Sequence, residues 1–128
     1  MTTWTSAELD KIGTAEELQI ESQRADGTLR NPVTIWVVRV DNDLYVRAVK
    51  GPGGPWFRGT QVRHAGRIRA GGVAKDVSFA PADPMLHERI DAAYRAKYGH
   101  YDAQYVDPTL TPQARTATIK LVPRSTNA

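Results

Sequence analysis

The spacing of hydrophobic and polar residues changes period several times along this chain, and each change marks an element. Thr5-Ser6-Ala7-Glu8 places a carboxylate three residues after a hydroxyl, the pattern of a helix-capping box. Leu9 and Ile12 then share one helical face, and Gly13 ends this short helix. From Leu18 to Arg24 the period drops to two, with Leu18 and Ile20 on one side and Gln19 and Glu21 on the other, which predicts a strand. Asp26-Gly27 supplies positive-φ residues for a hairpin turn. A second strand runs toward Trp36 and Val40, entered through Pro32, which cannot donate to a ladder. Within it, Val33 to Val38 is apolar on both faces and predicts a strand buried twice. Asp41-Asn42-Asp43 turns the chain, and Leu44 to Val49 returns antiparallel.

Further on, Arg67–Ala70 and Val73–Phe79 form a hairpin around Gly71-Gly72. Asp83-Pro84 opens a helix, with Asp as cap and Pro at the first position. Leu86, Ile90, Tyr94 and Tyr98 recur every four residues on its apolar face, and Gly99 stops it. Arg115 to Pro123 alternates Thr116, Thr118 and Lys120 against Ala117, Ile119 and Leu121, a last strand. The pattern is mainly β within an α+β class: six short strands, one helix at the start and a longer one late. Short strands joined by tight glycine turns predict a small antiparallel barrel with helices packed on it. The 128 residues, with no linker and no repeat, predict one domain over 1–128.

Composition sharpens this picture in two places. There is no cysteine, which removes disulfides, thiolate catalysis and cysteine metal sites, and fits a reducing cytoplasm. The first residues have neither a basic start nor an apolar run, so the expectation is a soluble cytoplasmic protein without a membrane anchor. The formal net charge of +3 is modest, but its distribution is uneven. Arg30, Arg39, Arg47, Lys50, Arg58, Arg63, Arg67 and Arg69 face only Asp41 and Asp43 in the same stretch. Such a block suits an anionic ligand or nucleic acid, or a set of solvated strand edges.

The richest chemistry in the block is the stretch YVRAVKGPGGPWFRG, Tyr45 to Gly59. A phosphate needs charge-assisted donors in a fixed array. Arg47 offers a planar fork, Lys50 a point charge, and Gly51, Gly53 and Gly54 a close-approaching backbone. Pro52 and Pro55 stiffen the loop and lower the ordering cost of binding. Arg58 adds a further cation, and Trp56, Trp36 and Tyr45 are the candidates to pack on a flat ring. The competing reading is a stiff turn with a core tryptophan. His64, His87 and His100 lack metal-ligand spacing, so no metal site is expected. No nucleophile-elbow, P-loop or zinc-protease motif occurs. Tyr94 and Tyr98 read as core, while Tyr101 and Tyr105 either border a pocket or face solvent.

Taken together, DGTLRNPVTIWVVRVDNDLYVRAVKGPGGPWFRG, then IDAAYRAKYG, then ARTATIKLVPR, resembles a bacterial family of unknown function, number 2255, over nearly the whole chain. More loosely, it is similar to the deazaflavin-dependent nitroreductase family and other flavin-binding split-barrel proteins. That resemblance implies a six-stranded, FMN-binding-like split barrel, usually a homodimer. It also implies FMN or a deazaflavin coenzyme with its phosphate near Arg47, Lys50 and Gly51, and Trp56 as the downstream aromatic. The GPGGP loop and Phe57-Arg58-Gly59 depart from the family pattern. Flavin or deazaflavin hydride chemistry needs no acid–base pair from the protein, since the cofactor carries the difficult step. With the resemblance and the basic, aromatic loop together, the leading expectation is an oxidoreductase of a small organic molecule. A split-barrel ligand-binding or non-redox domain without cofactor comes second. A nucleic-acid-binding barrel comes last, because carboxylates are nearly as common as cations over the whole chain.

Overall fold

The computed structural model describes residues 3–124. Helix α1 (Ser6–Gly13) opens with the expected capping box: the Thr5 hydroxyl accepts from the Glu8 N–H, and the Glu8 carboxylate accepts from the Thr5 N–H. Seven strands follow in one antiparallel sheet: β1 (Leu18–Ser22), β2 (Val33–Ile35), β3 (Val38–Val40), β4 (Asp43–Arg47), β5 (Ala65–Ala70), β6 (Val73–Pro81) and β7 (Thr118–Pro123). Their spatial order is β2-β1-β5-β6-β7-β4-β3. Helices α2 (Pro55–Arg63), α3 (His87–Tyr98), α4 (Ala103–Val106) and α5 (Pro112–Thr116) complete the fold, with 3-10 turns at Pro84–Leu86 and Asp107–Leu110. The architecture is an α+β antiparallel half-barrel. No described helix is long and apolar enough to cross a membrane.

The strand count is seven rather than six because the run Val33–Val40 is not one strand. Its first part pairs with β1 at one edge of the sheet, and its second part pairs with β4 at the opposite edge. Trp36 and Val37 carry the chain between the two edges, so the sheet must curl until its borders nearly meet. The double burial expected of Val33–Val38 is accordingly absent: Val33 and Thr34 are exposed on an edge strand. The strand buried on both faces is β4. Leu44 and Val46 enter the main core with Leu18, Ile20, Ile68 and Leu121. Tyr45 points the other way, into a second core with Val38, Ile90, Tyr94 and Tyr98 under α3. Burying one such side chain stabilises the fold by about 1.5–3 kcal/mol, and the two cores fix β4 from both sides.

Turn chemistry holds where the sequence placed it, with one exception. Gly71 and Gly72 both have positive φ, 57° and 83°, as a two-residue hairpin turn requires. A Cβ on Gly71 would lie 2.2 Å from the Lys11 carbonyl oxygen, so this tip packs against α1. At Asp26-Gly27 only Gly27 has positive φ. Asp26 contributes through its carboxylate, which accepts from the Thr28 N–H and hydroxyl. Two helices replace expected irregular or extended chain. Trp56, Phe57 and Arg58 lie on α2, with Pro55 at its first position, and Arg115 and Thr116 lie on α5 rather than on the last strand. Asp83 caps a 3-10 turn before α3, and Ile90, Tyr94 and Tyr98 bury the face that their spacing predicts.

Candidate functional site

A cleft of about 590 Å³ opens where β2, the end of β4, the start of α2 and the late helices meet. One wall is Val33, Ile35 and Trp36. Facing it are Ala48, Val49 and Lys50, which continue β4, and Gly54, Pro55 and Trp56 at the start of α2. Tyr94, Thr109 and Arg47 lie deeper, and Tyr105 stands at the rim. Val33, Val49 and Tyr105 are 37%, 44% and 58% exposed, so the mouth is rimmed by apolar surface that faces water.

Five of the nine residues singled out by sequence as cations, close-approaching glycines or ring-packing aromatics come together here: Trp36, Arg47, Lys50, Gly54 and Trp56. Gly51, Gly53, Arg58 and Tyr45 do not line the cleft. Tyr45 is buried in the second core on the other face of β4. Gly51 shapes the loop behind the site: its φ is 78°, and a Cβ there would meet the Gln113 side chain at 2.4 Å. That side chain donates to the Lys50 carbonyl at 2.7 Å, which ties the loop to α5. Gly53 is exposed, and Arg58 projects from α2.

The anion-binding features gather at the start of α2. Gly54 is its N-cap and offers no side-chain oxygen, and Pro55 has no N–H. The first closing bond runs from the Arg58 N–H to the Gly54 carbonyl at 3.0 Å. The Trp56 and Phe57 N–H groups therefore have no intrahelical acceptor, at the positive end of the helix dipole. The Lys50 side chain, exposed and in no ion pair among the described residues, begins beside Gly54, whose added Cβ would lie 3.2 Å from the lysine Cβ.

Arg47 has a different role from the free fork that its sequence position suggested. Its guanidinium is fully buried. It donates to Asp91 at 2.5 Å, the Thr109 carbonyl at 2.8 Å, the Thr118 hydroxyl at 2.9 Å and the His87 carbonyl at 3.3 Å. Four of its five N–H groups are thus committed inside the protein. Asp91 also accepts from Arg115. Burial alone would raise the Asp91 pKa, but the bonds from Arg115 and Arg47 outweigh it and hold the carboxyl below the ordinary range. His87, beside this cluster, has its pKa lowered by burial and by the two guanidinium charges. Sequence reading missed Asp91. The available signal was a carboxylate on a helix between Ile90 and Tyr94, on the side that the helix buries.

The aromatic lining is braced from behind. Trp36 stacks on Tyr98 with centroids 4.0 Å apart and planes at 2°, and on Tyr101 at 5.4 Å. The Tyr98 hydroxyl accepts from the Val37 N–H at 3.2 Å and donates to the Glu16 carbonyl at 2.9 Å, and Tyr101 bonds the Glu16 carboxylate. Trp36 is therefore a fixed wall.

The cationic block is partly neutralised by carboxylates from outside it. Arg39 pairs with Asp10 at 2.9 Å, Arg47 with Asp91, Arg67 with Asp76 at 3.6 Å and Arg69 with Glu21 at 3.5 Å. Among the described residues no three His, Cys, Asp or Glu side chains converge as metal ligands would.

Comparison with known proteins adds family and fold. Residues 8–121 match the family described as an uncharacterized protein conserved in bacteria (DUF2255), and the chain belongs to that family. No curated protein matches it. Among solved structures it is similar to a conserved hypothetical protein of Mycobacterium tuberculosis, at TM-score 0.66 and 12% identity, covering 95% of this chain and 82% of the other. A FAD-binding protein of Mesorhizobium loti gives TM-score 0.60 and 15% identity, covering 97% and 93%. An F420 reductase gives TM-score 0.57 and 12% identity, covering 94% of each chain. At such identities the likeness is one of fold.

Proposed function

For a member of this bacterial family, we propose that the cleft binds a flavin or deazaflavin nucleotide and that the protein is an oxidoreductase of a small organic molecule. The observation that carries this reading is the pairing of an apolar, aromatic-walled slot with an anion-binding end. Lys50 and the unpaired N–H groups of Trp56 and Phe57 suit a phosphate, while Trp36 and Trp56 suit a flat ring. A volume of about 590 Å³ lies within the usual range for a cofactor site. Support also comes from the names of two neighbours of the same fold, a FAD-binding protein and an F420 reductase.

When bound, such a cofactor supplies hydride or electron transfer, so no acid–base pair is asked of the protein. Lys50 and the start of α2 anchor the tail, with Arg58 one turn into the helix as an outer cation. Arg47 acts as a positioning residue: by clamping Asp91, Thr109 and Thr118 it fixes the end of β4 beneath the site. Gly51 and Gly53 give the loop its path around Lys50, and the fixed Trp36 keeps water off one wall. Tyr45 supports the site from the second core. The reading includes a homodimer, with the exposed β2 edge and the apolar rim as the contact.

Titration with FMN and with riboflavin tests this. Wild type should bind FMN with micromolar affinity, about −8 kcal/mol. Lys50→Ala should weaken FMN ten-fold or more, about 1.4 kcal/mol, and leave riboflavin, which lacks the phosphate, unchanged. Equal FMN affinity in the two proteins would remove Lys50 from the site. Failure of wild type to bind FMN or the deazaflavin coenzyme would leave a cofactor-free ligand-binding domain.

A further inference from the structure

We propose that the Tyr94 hydroxyl is the recognition donor of the cleft, giving its hydrogen bond to an acceptor atom on the edge of the ligand's ring. This rests on the cofactor reading above and adds the orientation of the ring. Tyr94 lines the cleft, is 1% exposed, and its hydroxyl oxygen is buried without a hydrogen-bond partner. Buried hydroxyls are nearly always satisfied, so one left open beside a cavity points to a partner that enters the cavity.

Among the described residues no acceptor bonds the hydroxyl. The Arg47 guanidinium lies 5.5 Å from the Tyr94 ring centre, but it is a donor only. Asp91 accepts from Arg47 and Arg115 and the Thr109 carbonyl accepts from Arg47, and neither bonds the Tyr94 hydroxyl. The neighbouring Tyr98 hydroxyl is occupied by Val37 and Glu16. Of the remaining buried members of the second core, Val38, Val40, Ile90 and Val106 are aliphatic, and Tyr45 makes no hydrogen bond to Tyr94. Burial raises the Tyr94 pKa; the Arg47 charge and the approach of the Arg47 backbone N–H to the hydroxyl oxygen oppose it more weakly, so the phenol keeps its proton and has it to donate.

The chemistry selected is a flat heteroaromatic ring whose leading edge carries a carbonyl oxygen or ring nitrogen. Lys50 lies on the strip that leads from Arg47 out to the α2 terminus. A ligand that satisfies both groups has its acceptor edge deep, against Tyr94, and its phosphate tail outward.

Tyr94→Phe removes only the hydroxyl. The expected result is a loss of about ten-fold in affinity for both FMN and riboflavin. Lys50→Ala, by contrast, weakens FMN alone. The melting temperature of the ligand-free variant should equal or exceed that of wild type, because the hydroxyl donates no bond within the protein. A fall of 4 °C or more in the free protein would mean that the hydroxyl is bonded internally, and would overturn the inference whatever the ligand. Unchanged melting and unchanged affinity for both rings would overturn it while leaving the cofactor reading intact. Binding of neither ring by wild type would sink both.

Discussion

A single carboxylate, Asp91, holds two guanidinium groups, and the Arg47 charge has no access to water. Removing one partner of a buried pair leaves an uncompensated charge, which typically costs about 3–5 kcal/mol. Asp91→Ala should therefore lower the stability measured by urea unfolding by roughly that amount. A change below about 1 kcal/mol would mean that Arg47 finds other compensation. The pH dependence follows from the lowered folded pKa. The Asp91 contribution is complete above the ordinary carboxylate range, about pH 4, and drains away as pH falls through that range toward the depressed folded value. Wild type should thus lose stability more steeply with acid than Asp91→Ala does.

At the scale of elements, the loop before α2 determines where the helix begins. Gly51 sits at φ 78° with Gln113 packed where a side chain would be, and Gln113 holds the Lys50 carbonyl. Gly51→Ala should destabilise by about 1–3 kcal/mol. Combined with Gln113→Ala, the loss should be smaller than the sum, because both changes act on one contact. Strict additivity in denaturant unfolding would show that the two are independent. This loop also shows what the sequence could and could not reveal. The capping box at Thr5, the glycine hairpin at Gly71 and the tyrosine stripe of α3 were legible because each is a local signal with one solution. Helix α2 was not, since its start, Gly54-Pro55, also reads as a turn and its side chains make no clean apolar stripe. Arg47 was legible as a chemically important residue but not as a buried one, because its partner Asp91 lies 44 residues away. Tyr94 was legible as core, while the missing partner of its hydroxyl is a fact of three dimensions.

On the scale of the whole molecule, the sheet of the described residues ends in two edge strands, β2 and β3. Open edges bearing apolar side chains invite pairing with another chain. Val33 on β2, Val49 beyond β4 and Tyr105 on α4 expose apolar surface around the cleft mouth beside the β2 edge. Light scattering at micromolar concentration should report a dimer for wild type, and Val33→Lys should shift it toward monomer. A wild type that stays monomeric would withdraw the homodimer from the proposed function.

The passage from β2 to β3 carries a mechanical consequence. Only Trp36 and Val37 separate the last residue of one edge strand from the first of the other. Three extended peptide steps reach about 11 Å at most, so at that point the two borders are on a short leash that thermal motion cannot lengthen. The cleft cannot gape at its Trp36 end. Breathing of the β2 wall comes from its Val33 end, where β2 is held by its pairing to β1 alone, and a dimer contact on that edge would set how far it moves. The site would then open like a pair of tongs, with the stacked tryptophan near the pivot and the apolar rim at the moving tips.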